Sequence, residues 1–142
     1  MAVILKRIYE PPSRTDGARV LVDRLWPRGL TKQDARLDAW LRELAPSNEL
    51  RKWFHAHPLQ WKRFREKYLQ ELSAESVQSV LQQLYQIRNQ RSRLTLLFAS
   101  QNVERNNAVV LKELLEGRRK PPTGTGPFRA AAPARARAGR RS

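Results

Sequence analysis

Six charged side chains, Asp16, Arg19, Asp23, Arg24, Arg28 and Lys32, crowd into seventeen residues, with Trp26 and Pro27 between them. Arginine carries a planar fork of donors that matches phosphate or carboxylate bidentately. A tryptophan among such groups can stack on a base or a guanidinium. Arg19, Arg24, Arg28 and Lys32 are therefore candidate anion ligands, and Trp26 a candidate stacking surface. The same residues also suit an Asp–Arg network that merely pins an irregular loop. A second candidate is Ser100–Asn107 (SQNVERNN), where Asn106 and Asn107 offer amide donors just before a helix. A helix N-terminus presents free N–H groups and partial positive charge. Asn and Ser there are equally ordinary caps.

Other chemistries are excluded or disfavoured. The chain has no Cys, so disulfides, thiolate metal sites and thiolate nucleophiles are ruled out. Two His, His55 and His57, are too few for a multi-His zinc centre, and their i, i+2 spacing sends them to different sides of a helix. There is no phosphate-binding glycine loop, no H-E-x-x-H and no nucleophile elbow. No cofactor is expected. If a reaction runs here, Asp23 is the candidate catalytic base, with Arg24 and Arg28 stabilising developing charge.

The elements that must hold these residues follow from pattern. Val3–Tyr9, Arg19–Asp23 and Leu94–Ala99 read as strands, the last two nearly continuous in apolar content and so buried on both faces. Between them four helices are expected. Thr31 and Asp34 resemble a capping box, and Leu37, Trp40, Leu41 and Leu44 fall on one helical face. Ser47 caps a helix carrying Leu50, Trp53 and Phe54. Pro58 opens one striped by Trp61, Phe64, Tyr68 and Leu72. Ser73 caps one with Val77, Val80, Leu81, Leu84 and Ile87 inward. Glu104–Glu116 is the last helix, stopped at Gly117. The expectation is an α/β fold: a small, mostly parallel sheet of three or so strands flanked by about five helices, three-layered and Rossmann-like or rhodanese-like. Ten residues or fewer join the first two strands, which is short for a parallel crossover. That pair is antiparallel, or joined by one cramped helical turn.

The formal net charge is +15 over 142 residues. Eight of the 28 Lys and Arg, and none of the 13 acids, lie in 118–142. That segment is rich in Pro, Gly, Ala and Arg and is expected to be a disordered basic tail, with residues 1–117 forming one domain. A basic balance draws polyanions. No stretch approaches the ~20 apolar residues of a membrane span, and Met-Ala-Val-Ile-Leu-Lys-Arg has the wrong order for a signal peptide, so a cytoplasmic protein is expected.

The string Val20-Leu21-Val22-Asp23-Arg24-Leu25-Trp26-Pro27-Arg28-Gly29, with Lys6–Glu10, Asp16-Gly17, Pro46-Ser47, Leu50–Phe54, Thr95–Ala99 and Asn106–Ala108, closely resembles the YeaO-like branch of the family called domain of unknown function 488. The match covers about residues 3–115 and leaves the tail outside. The resemblance implies a small three-layer α/β fold, distantly similar to the rhodanese and Cys-phosphatase folds. Other branches carry Cys near Leu97–Ala99 and near Glu104–Asn107; here Phe98 stands where one would be expected. Such a branch keeps the anion pocket for binding a phosphorylated small molecule, nucleotide or nucleic acid, or runs Cys-independent chemistry through Asp23. A third role, protein interaction, would show as an exposed apolar patch, sought first at Trp26 and Trp53.

Overall fold

The computed structural model describes residues 2–117; the expected tail lies outside the described residues. A four-stranded parallel sheet has the order β1-β4-β2-β3, with β1 at Ala2–Arg7, β2 at Ala18–Leu21, β3 at Ala39–Trp40 and β4 at Arg93–Phe98. The apolar run of β4 places it centrally, with Val3 opposite Leu94 on one side and Val20 opposite Leu96 on the other. The first two strands are thus parallel and do not touch. Their connection skips over β4 and contains one 3-10 turn, Arg14–Asp16.

Side chains alternate across the sheet, as the pleat demands. Val20, Val22, Leu94, Leu96 and Phe98 enter the main core, and Leu21 and Leu97 a smaller one. The main core is filled by α2 (Asn48–Ala56), α3 (Trp61–Leu72), α4 (Glu75–Gln90) and α5 (Asn107–Leu115). On the other face lie Ala35 of the short α1 (Lys32–Ala35), Trp26 and Trp40. Most aromatics of the helical stripes serve this core. Phe64 and Tyr68 are fully buried, and Trp53, Phe54 and Trp61 pack half-buried against them.

The helix expected through Leu37, Trp40, Leu41 and Leu44 is absent. Arg36 turns left-handed (φ 49°) and ends α1. The chain then runs beside β2: Arg19 N–H donates to the Asp38 carboxylate at 2.7 Å, and Leu41 N–H to Leu21 O at 3.0 Å. Strand pairing overrides a helical period too short to defend itself. Ser73 does not cap α4; its hydroxyl donates to Gln70 O and closes α3.

Tyr68 illustrates how the core is tied. Its buried hydroxyl donates to Leu44 O in the turn preceding α2. Tyr68→Phe strands that carbonyl and is expected to cost about 1–3 kcal/mol. Urea unfolding with an unchanged m-value checks this.

Candidate functional site

Strands β1, β2 and β4 are parallel, so their carboxyl ends open on one edge of the sheet, where open α/β sheets bind ligands. A cavity of about 650 Å³ lies there. Its rim and walls come from Tyr9 after β1, Asp23–Arg28 after β2, and Ala99, Ser100, Asn102, Arg105, Asn106 and Asn107 where the chain passes from β4 into α5. The fourth side is α2 and the loop after it, through Arg51, Phe54, His55 and Pro58.

Each wall is fastened. Tyr9 Oη donates to Arg28 O at 3.0 Å, and Arg7 holds the opposite loop through Ala99 O and Ser100 O. Ser47 caps α2 by accepting from Leu50 N–H, and donates both its own N–H and hydroxyl to Glu71 of α3. This fixes the helix that presents Arg51 and Phe54. Phe54 stacks on Phe64 at 4.4 Å, making an apolar wall.

Asp23 joins three elements. One carboxylate oxygen accepts from Ala99 N–H at 2.8 Å and the other from the Asn107 amide at 3.3 Å; that amide also donates to Val22 O. No salt bridge engages Asp23 among the described residues. Burial pushes its pKa up, and the Ala99 N–H, the Asn107 amide and the charge of Arg51 only partly offset this. Among the described residues, Asp23 is the single acid bordering a cavity that four arginines border: Arg24, Arg28, Arg51 and Arg105.

The expected ligands divide. Arg28 is exposed at the rim, and its guanidinium has no partner among the described residues. Arg24 borders the cavity but spends its guanidinium on Ala45 O and Pro46 O. Arg19 is elsewhere: it is buried, bonded to Asp16 at 2.6 Å and to Ala35 O and Arg36 O. It lies in β2 beside Thr95, ahead of the sheet edge that carries the cavity. Lys32, on α1, does not border the cavity either. Trp26 does, though its ring NH is held by Leu30 O and its ring packs edge-on to Trp40, leaving it half-buried. Asn106 is buried as the cap of α5, and Asn107 is committed to Asp23 and Val22.

Sequence reasoning missed Arg51, Arg105, Phe54 and Tyr9. Arg51 had a signal: a cation inside the apolar stripe Leu50–Phe54. Arg105 lay within the flagged loop but was not singled out. Among the described residues, no three His, Asp or Glu gather as metal ligands, and no helix is long and apolar enough to cross a membrane. Among the described residues, the exposed large apolar side chains are Tyr9, Leu25, Leu59 and Val103, not the tryptophans. Tyr9 and Leu25 border the cavity, and Leu59 and Val103 each follow a bordering residue.

A family model described as "Inactive DUF488-N3 subclade" matches residues 2–131, extending beyond residues 3–115, the span expected from the resemblance. The uncharacterized protein YeaO of Escherichia coli is 44% identical over 115 residues, covering 81% of this chain and 97% of that protein. The uncharacterized proteins Mb3100c of Mycobacterium bovis and Rv3073c of Mycobacterium tuberculosis are each 40% identical over 116 residues, 82% of this chain and 95% of theirs. No solved structure matches the chain.

Proposed function

The chain belongs to the DUF488 family, and from that premise we propose that its cavity binds a small organic anion without turning it over. The observation that carries this is the charge around the cavity: four arginines against one carboxylate, with two of the guanidinium groups, on Arg28 and Arg105, unpartnered among the described residues. A cavity of about 650 Å³ has the size of a small-molecule site. Its concavity and its aromatic wall favour a compact ligand with an apolar body over a nucleic-acid backbone. The absence of Cys and the description of the matching subclade as inactive favour binding over turnover.

Catalysis through Asp23 is the second reading, favoured by one observation: its carboxyl is held above the usual range and borders the open cavity. Arg28 remains available to stabilise charge in such a reaction, whereas Arg24 is tied to backbone carbonyls.

Phenyl phosphate is a suitable probe, titrated into the full chain by calorimetry. Arg28→Ala and Arg105→Ala are each expected to weaken binding about tenfold or more, the worth of a charge-assisted hydrogen bond. Lys32→Ala, away from the cavity, is expected to leave affinity within about twofold, as a screened surface charge should. Equal losses from all three would mean diffuse attraction to a basic surface, and the pocket would be discarded as the site.

A further inference from the structure

The cavity carries opposite charge at two depths. Arg28, Arg51 and Arg105 are exposed, whereas Asp23 is only partly exposed, in a cavity that Phe54 also lines. A carboxylate has about four acceptor positions. Asp23 fills one on each oxygen, with Ala99 N–H and the Asn107 amide. The remaining positions have no donor among the described residues, and no cation lies within salt-bridge distance. Burying such a group under an apolar ligand would cost its hydration without return, and a second anion there would be repelled.

We infer that the ligand is bipolar: an anionic group held by the rim arginines, an apolar body against the half-buried Phe54, and a hydroxyl or N–H at the far end donated to Asp23. This rests on the anion-binding reading and adds the specificity element to it. A phosphate or carboxylate alone would satisfy the rim and leave the carboxylate unmet. Specificity then follows from the asymmetry of buried polar groups: a site built to accept a hydrogen bond rejects the analogue that cannot donate one.

Three probes separate the two claims: phenyl phosphate, 4-hydroxyphenyl phosphate and 4-methoxyphenyl phosphate. The first lacks the polar end, the second donates from it, and the third has a similar oxygen without the proton. Titrated into the full chain at neutral pH, the hydroxyl compound is expected to bind about tenfold tighter than the other two, the worth of a hydrogen bond to a charged acceptor. Asp23→Asn keeps the size of the side chain and an acceptor for Ala99 N–H, and is expected to shrink that preference to about threefold or less, as a neutral acceptor gives a weaker bond. The wild-type comparison decides even if the variant folds poorly. Equal binding of all three compounds overturns the bipolar ligand and leaves the anion site standing. Binding of none of them removes the anion site, and the bipolar ligand with it.

Discussion

Asp16→Ala is expected to destabilise the protein by about 3–5 kcal/mol, the usual consequence of removing one partner from a buried ion pair. Asp16 and Arg19 are 5% and 4% exposed. The Asp16 carboxylate accepts from Arg19 at 2.6 Å, from Lys6 at 3.0 Å and from Ser13 N–H at 3.0 Å. Removing it leaves a guanidinium in the interior with only backbone carbonyls of Ala35 and Arg36 for company. Replacing both partners is a different experiment. Asp16→Ala with Arg19→Met removes the orphaned charge, and is expected to recover a large part of the loss. Urea unfolding of the two single variants and the double variant measures this coupling; simple additivity would show that the pair is not the source. Acid gives an independent check. Burial pushes the Asp16 carboxyl up, but the Ser13 N–H, Lys6 and Arg19 together outweigh it and hold the group below its usual range. Its contribution is therefore fully present above the unfolded-state pKa and is lost as pH falls through the lower folded value. Below about pH 4 the wild-type protein is expected to lose stability more steeply than Asp16→Ala. Asp23 has the opposite sign: its folded carboxyl lies above its usual range, so its ionisation costs stability as pH rises through that value.

These two aspartates show where a reading of the sequence stops. Asp16, Arg19, Asp23, Arg24, Arg28 and Lys32 look like one polar cluster because they are close along the chain. Strand β2, only Ala18–Leu21, runs through the middle of it. Residues before a strand and residues after it emerge at opposite edges of the sheet. Asp16 and Arg19 thus form a buried joint near the amino edge, bonded to Thr95 Oγ1 through Asp16 O, while Asp23 and Arg28 reach the cavity at the carboxyl edge. The strand itself was legible from its apolar run, but a cluster's division depends on where the strand begins and ends, which composition marks poorly. The family and the α/β class were legible because the Val20–Gly29 string and the alternation of apolar runs are local facts. The partners of β2 were not. That β4, which begins 72 residues after β2 ends, lies between β1 and β2 is a non-local fact, and so is the use of residues 39–40 as an edge strand in place of a helix.

The same topology explains why the cavity is polar in the way it is. Parallel strands of a small sheet end together, and the groups that follow them must be tied to each other or hydrated. Asp23 supplies that tie between β2, β4 and α5, and Arg24 supplies it toward the loop before α2. What remains untied is the rim, where Arg28 and Arg105 come from two loops that close on the same opening. Anchored groups set the shape, and the unanchored cations are the ones the proposed anion would meet. Arg24 is accordingly the poorer candidate for a ligand contact, although it sits beside Asp23 in sequence.

Gly17→Ala carries the second large effect. Gly17 has φ +66°, which side-chain-bearing residues rarely adopt, and a Cβ built there falls 2.2 Å from Arg93 O and 2.7 Å from Arg93 C. Both atoms are backbone, at the start of the central strand, so no rotamer change relieves the contact. Ala18 pairs with Leu94 directly after it, and making room means prising β2 from β4 at their amino ends. Left-handed strain contributes about 1 kcal/mol or more and the enforced overlap about 1–3 kcal/mol, for an expected loss of roughly 3 kcal/mol. Gly29 is the matched control. Its φ is +77°, but nothing lies within 4 Å of its Cβ position, so Gly29→Ala is expected to cost only the strain, about 1 kcal/mol. Equal losses from the two variants would mean that the Gly17–Arg93 approach is soft. The two also differ in what they do to the cavity. Gly17 lies at the amino edge of the sheet, so its folded fraction should bind phenyl phosphate like wild type. Gly29 follows Arg28, whose carbonyl is held by Tyr9, so Gly29→Ala is expected to weaken phenyl phosphate binding while costing no stability beyond that strain. Stability and binding are thus separable at two glycines twelve residues apart, because a strand and the full length of the sheet edge lie between them.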